Sequence, residues 1–305
     1  MIAAIAVHQL QSLRRQRVLL AAISILIGAT VLAGVLGWAS HQTIIGVYNE
    51  AVKLLATRGL GAPPNPFLLK PVLSLLSNMV IYITLIGALV ALVIGHLSVA
   101  DDESNGIGRL LFSRQLSRRQ YALGKIGSAA AVLAIGIGCC ATVSVVALIL
   151  VNKTMPSGGD LARLVIFYAL SWLYLLIFAL VGMLSLLIAR RRSLGLLSAM
   201  GAWLVITFAI PQFTSGLRPS QSLNPIVDPV STSQGFFKVT AHARAYSIAE
   251  QFKQLSGRIL ETASGESGAD SMRRLVPIVG VLIVLVVGVS ALVQRHDFSR
   301  SAPNE

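Results

Sequence analysis

The chain has 305 residues, 55 % of them hydrophobic and 12 % charged, and a formal net charge of +13. Soluble domains carry about 25 % charged residues, so this composition, with a mean hydropathy of +0.76, excludes an ordinary soluble domain. Two adjacent cysteines, Cys139 and Cys140, sit inside an apolar run and exclude a disulfide framework.

At the start, Met1–Leu13 places Ile2, Ile5, Ala6, Leu10 and Leu13 on one helical face, with His8, Gln9, Gln11 and Ser12 elsewhere. Residues 1–17 therefore read as an interfacial helix in the headgroup region. Six long apolar runs follow: Val18–Trp38, Val72–Val99, Ile126–Val151, Leu164–Ala189, Leu194–Ile210 and Leu275–Val293. Each is near or above the length that spans a bilayer, and the fifth is the shortest. Arg14, Arg15 and Arg17 before the first run imitate a signal peptide. Its apolar stretch is longer than the roughly 7–15 residues of a cleaved core, so it reads as a retained span. No strand pattern and no repeat emerges. The expected fold is an all-α polytopic membrane protein, because helices satisfy their own backbone bonds within lipid.

With both termini inside, the inner segments hold Arg14, Arg15, Arg17, Arg109, Arg114, Arg118, Arg119, Lys125, Arg190, Arg191, Arg192, Arg295 and Arg300. The density of Lys and Arg is then about twice that of the outer segments, which favours an N-in, C-in orientation. The positive charge reads as orientation and attraction to anionic headgroups, not nucleic-acid binding.

Three segments fall outside. Ser40–Pro71 continues the first span as an amphipathic stretch (Ile45, Tyr48, Val52, Leu55) and breaks at the turn-rich Gly59–Pro66. Asn152–Arg163 is a short connector. Residues 211–274 open with proline- and serine-rich sequence; then Ala241, Ala245, Ile248, Phe252, Leu255 and Ile259 recur at alternating steps of four and three. This predicts an amphipathic extracytoplasmic helix before the last span. Its seam either packs on the protein's own outer surface or the membrane, or docks a partner. The partner reading makes Ala245, Ile248, Phe252, Leu255 and Ile259 a candidate contact with an extracytoplasmic protein.

All twelve acidic residues lie outside the six runs, and no Lys or Arg sits mid-run. Ionisable residues in the bilayer mark proton relays and ion paths. Their absence argues against a proton-driven transporter and against a channel with a charged filter. His96 reads as a boundary residue. No HExxH, CxxC, nucleophile elbow or P-loop occurs, so neither an enzyme nor a metal site is expected. Small residues repeat at Gly87, Ala91 and Gly95 and at Ala130, Ala134 and Gly138. That spacing suits close helix packing within the chain, or dimerisation.

The segment Asp101–Lys125 is the charged interruption between the second and third runs. Asp101, Asp102 and Glu103 end the second span in water. Ile107, Leu110, Leu111 and Leu116 form a short amphipathic piece interrupted by Arg109 and Arg114. Ser117-Arg118-Arg119-Gln120 fits a capping box, which starts a helix into the third span. Arg118, Arg119 and Lys125 are expected at the inner headgroups.

At these residues the chain resembles the ABC-2 type permeases, whose loop after the second span shows an acidic residue, a glycine, a run such as L-L-L-S-x-P-x-S-R, and G-K. Here these are Glu103, Gly106 or Gly108, Leu110-Leu111-Phe112-Ser113-Arg114-Gln115-Leu116-Ser117-Arg118, and Gly124-Lys125. Gln115 replaces the usual proline. Gln294-Arg295-His296-Asp297-Phe298 and Leu223-Asn224-Pro225 are similar to further family elements.

The resemblance implies one permease domain over residues 1–305, in a bacterial inner membrane. Two copies, or a copy and a paralogue, would pair with two cytoplasmic ATPase subunits, which bind the ATP and Mg that this chain has no motif to hold. Residues 101–125 would be the coupling loop, with Leu110, Leu111, Phe112 and Leu116 as its apolar wedge and Glu103, Arg109 and Arg114 as orienting charges. The complex would export a substrate or work on an extracytoplasmic partner. The alternative is a membrane scaffold or assembly factor without an ATPase.

Overall fold

In the computed structural model the chain is described over residues 17–59, 61, 72–104, 117–189, 191–214, 242–260 and 268–295. Every regular element among these residues is helical. Six helical segments among them are long and apolar enough to cross a membrane: Leu20–Thr57, Val72–Asp102, Arg118–Asn152, Gly158–Ile188, Arg192–Thr214 and Arg273–Arg295. All six expected runs are thus helical, and most extend past their apolar limits.

Helix α1 (Val18–Thr57) shows why. It is 40 residues long, about 60 Å at the α-helical rise, twice a hydrocarbon core of about 30 Å. The chain beyond Trp38 keeps a helical stripe, with Ile44, Ile45, Tyr48, Val52 and Leu55 half-buried, so the helix continues until Gly59 takes a left-handed φ of 71°.

The second span is assembled from pieces. A 3-10 turn (Val72–Leu76) leads into α2 (Ser77–Tyr82), a π turn (Ile83–Gly87) and α3 (Ala88–Ser104). Helices α4 (Arg118–Asn152) and α5 (Gly158–Ile188) form the next two spans. Lys153 closes α4 with φ 56°. Ser157 opens α5 with a reciprocal capping box to Asp160.

The fifth span comprises α6 (Arg192–Leu204), a π turn (Val205–Ala209) and α7 (Ile210–Thr214). Pro211 explains the π turn: its ring clashes with the carbonyl four residues back, at Thr207, and widening the helix there relieves the clash. Residues 211–214 therefore continue the span, although proline makes them look like the start of an outer loop. A 3-10 turn (His242–Tyr246), α8 (Ile248–Ile259) and the last span, α9 (Gly268–Arg295), complete the order.

Helix α5 is the hub, packing against α3, α4, α6, α8 and α9. Tyr174, Leu175, Ile177, Phe178, Ala179, Leu180 and Met183 are all fully enclosed. The α3–α5 crossing depends on glycine. A Cβ at Gly95 would overlap the Ala179 carbonyl, and one at Gly182 would overlap the Leu92 carbonyl. Backbones this close are the expected use of small residues in membrane helices. The Gly87, Ala91 and Gly95 stripe thus serves packing within the chain. On α4, by contrast, Ala134 and Gly138 are exposed and nothing lies within 4 Å of a Cβ built at Gly138.

Candidate functional site

The segment 101–125 is described at both its roots. Asp102 sits in the last turns of α3 and is 5 % exposed; Lys125, in the third turn of α4, is also 5 % exposed. Their charged atoms meet at 2.7 Å. The same carboxylate oxygen, Asp102 Oδ2, accepts the Tyr121 hydroxyl at 2.7 Å, and Lys125 Nζ donates to the Ser98 carbonyl at 2.7 Å. The spacing explains the assembly. Ser98 and Asp102 are four apart on α3, and Tyr121 and Lys125 four apart on α4, so each pair shares one helical face.

This geometry corrects two expectations. Asp102 does not end in water, and Lys125 does not reach the headgroups; both are enclosed, and both fall within the spanning helices Val72–Asp102 and Arg118–Asn152. The spans are therefore not free of charge at their ends. A charge leaves water at a cost of several kcal/mol even after relaxation, about what two buried partners at this distance can offset. Arg118 and Arg119 do remain exposed, as expected.

Ser117 caps α4 as its sequence predicts, Oγ accepting the Gln120 N–H at 3.2 Å. Arg118 Nη1 donates to the Gln294 carbonyl at 2.6 Å, satisfying an end carbonyl of α9. The start of α4 is thus tied to α3 on one side and to the end of α9 on the other. His96 is buried where α3 meets α6; its Cε1 lies 3.3 Å from a Cβ built at Gly195.

Of the coupling residues expected from sequence, Glu103 belongs to the last turn of α3. Arg109, Leu110, Leu111, Phe112, Arg114 and Leu116 lie outside the described residues. So do most of the interfacial segment 1–17, Leu223-Asn224-Pro225 and His296-Asp297-Phe298. Among the described residues no three His, Cys, Asp or Glu come together to hold a metal ion.

The seam expected outside the membrane is described from Ala245 to Ile259, and its centre faces the core. Phe252 and Leu255 are 0 % and 4 % exposed, and Phe252 stacks on Tyr174 with ring centroids 4.3 Å apart and an interplanar angle of 17°. Tyr174 is the seventeenth of the 31 residues of α5, so α8 reaches the middle of that helix instead of resting on one of its ends. Helix α8 also touches α2, the second π turn and α9. Ile248 and Ile259 are half-buried against the same core. Ala245 lies apart, exposed on the 3-10 turn, because the α-helix begins only after Ser247 caps it through the Glu250 N–H. A partner docking on Phe252 or Leu255 would have to displace the chain's own α5.

The polar side of α8 is tied down as well. Gln251 Nε2 donates to the Arg244 carbonyl at 2.9 Å, Arg244 pairs with Glu250 at 3.5 Å, and Arg274 of α9 donates to Gln254. The S-x-x-E spacing at Ser247–Glu250 was the sequence signal for this start.

A comparison with curated proteins finds no match. A family model described as "ABC-2 family transporter protein" matches residues 3–298, nearly the whole chain. Six apolar helices in one bundle, with a charged loop rooted between the second and third, agree with that match. The chain belongs to the ABC-2 family of transporter proteins and is a multi-pass membrane subunit of an ATP-binding-cassette transporter.

Proposed function

We propose that this subunit converts ATP hydrolysis by a separate cytoplasmic ATPase into rearrangement of its own spans, and that loop 101–125 receives the push. The supporting observation is the buried Asp102–Lys125–Tyr121 assembly at the loop's roots. A surface loop with no mechanical duty has no need to bury an ion pair that costs desolvation. Leu110, Leu111, Phe112 and Leu116 form the wedge seated in the ATPase, and Glu103, Arg109 and Arg114 orient it. Two such subunits, or one and a paralogue, work with two ATPases, which hold the ATP and Mg. The orientation is N-in, C-in, in a bacterial inner membrane.

Export of a substrate is favoured over work on an extracytoplasmic protein, because Phe252 and Leu255 are enclosed by the chain's own helices. The membrane-scaffold reading has no observation in its favour.

The deciding experiment replaces Leu110 and Leu111 with Asp. The protein should still insert but lose co-purification with the ATPase; retained co-purification would remove the wedge assignment. Thiol labelling of Met155→Cys, at a position 81 % exposed on the α4–α5 connector, should proceed from outside intact cells, with Gln115→Cys as its counterpart. Labelling at Gln115 should require permeabilisation, and the reverse pattern would invert the topology. Met155 suits this better than Gln254, which is half-buried and bonded to Arg274.

A further inference from the structure

We infer that Asp102 and Lys125 are a positioning pair: they hold α3 and α4 in one register, so that a push on the loop moves both helices together. This rests on the coupling role proposed above and names the residues that transmit it.

The two helices touch each other little apart from this assembly. The extensive partner of α3 is α5, whereas α4 packs chiefly on α1, α5 and α9. A loop pushed from below would act on two helices that share α5 but differ in their other neighbours, α6 for α3 and α1 and α9 for α4, and apolar side chains alone could slide between ridges. The polar assembly resists sliding. Asp102 Oδ2 receives Lys125 Nζ and the Tyr121 hydroxyl, and Lys125 also reaches the Ser98 carbonyl, each at 2.7 Å. Displacing α4 by one helical turn, about 5.4 Å, would break all three contacts and leave two charges buried and unpaired. Lys125 also lies 5.5 Å from the Tyr121 ring centroid, which keeps the two α4 residues in one arrangement.

The position along α4 matters too. Lys125 is the eighth residue of the helix, about 10 Å above its start. The tie therefore lies deeper than the loop. The first two turns of α4 remain as a short lever, whose tip Arg118 fastens to the end of α9 through Gln294. A push reaching this lever is shared by the second, third and last spans.

Buried ion pairs contribute little to net stability, and replacing one with apolar groups of similar shape is often neutral or stabilising. Register and stability can therefore be separated. The test uses the full chain with its ATPase, in nanodiscs, in a background of Cys139→Ala, Cys140→Ala and Met155→Cys. The readout is the change in thiol-labelling rate at position 155 when ATP is added. The double substitution Asp102→Leu/Lys125→Met should leave insertion, thermal midpoint and ATPase co-purification as in the parent, and abolish the ATP-dependent change. Tyr121→Phe should preserve assembly and weaken the change. An undiminished ATP response in the double variant would overturn the inference. Should the double variant fail to assemble, an undiminished response in Tyr121→Phe would overturn it instead. A parent chain that neither retains the ATPase nor responds to ATP would bring down the coupling role itself, a result seen before any variant is compared.

Discussion

The root of the loop and the region around Tyr174, midway along α5, are both fully enclosed, yet they are held by opposite means. At the root, the buried polar atoms of Asp102, Lys125, Tyr121 and Ser128 are matched to partners at 2.7–2.8 Å. Around Tyr174 the contacts are stacked and edge-on rings, Tyr174–Phe252 and Tyr174–Phe178, beside a π turn. There the Tyr174, Trp203, Thr207 and Ser256 polar atoms are buried without a hydrogen-bond partner among the described residues. Directional bonds fix one arrangement; ring contacts and unmatched hydroxyls allow several of similar energy. On the coupling role proposed above, the first suits a region that receives force and the second a region that repacks.

The largest effect should come from breaking the root. Lys125→Ala leaves the Asp102 carboxylate buried with only Tyr121 to stabilise it, and removing one partner of a buried pair costs about 3–5 kcal/mol. Chemical denaturation of the detergent-solubilised chain should show that loss. The Asp102→Leu/Lys125→Met pair should be near parent stability. A Lys125→Ala chain as stable as the parent would mean that water reaches the pair and that the root is no more fixed than the region around Tyr174.

This contrast was only partly legible in the sequence. The six spans were, because apolar runs of this length have few other fates. Their ends were legible in part: the amphipathic stretch after Trp38 and the break at Gly59 could be read, whereas Pro211 hid the continuation of the fifth span to Thr214. The Ser117 cap was legible from a four-residue pattern, and the same pattern stood at Ser157–Asp160 and Ser247–Glu250. The Asp102–Lys125 pair was not: its members are separated by a whole loop, and only the antiparallel register of α3 and α4 brings them together. For α8, the spacing of Phe252 and Leu255 revealed an apolar face but carried nothing about which surface it would meet. The wedge residues from Arg109 to Leu116 rest on family resemblance alone.

A smaller effect should sharpen the Tyr174 side. Phe252→Leu retains most of the apolar bulk but loses the stack on Tyr174, which is worth about 0.5–1.5 kcal/mol beyond area burial. Because α8 is one short helix, the loss should appear first as local opening. Hydrogen exchange of residues 248–259 should accelerate while the α3–α4 root stays protected. Equal acceleration at both ends would show that the molecule opens as one unit and would erase the distinction between them.

The smallest effect is expected at Tyr174 itself. Its ring is fully enclosed, and its hydroxyl is within interaction range of Thr207 but makes no hydrogen bond of good geometry among the described residues. A buried hydroxyl left unpaired carries a desolvation cost of about 1–3 kcal/mol, and removing it can be neutral or stabilising. Tyr174→Phe keeps the ring and its stack on Phe252, so stability should be unchanged or slightly raised in the same denaturation measurement. Tyr121→Phe deletes the same atom from a ring equally enclosed, but there the hydroxyl serves a buried carboxylate, a bond worth about 1.5–3 kcal/mol. One chemical change at two tyrosines therefore compares the two ends directly. A loss at Tyr174 as large as that at Tyr121 would mean that the Tyr174 hydroxyl is firmly bonded in the folded protein, and that its surroundings are as rigidly specified as the root.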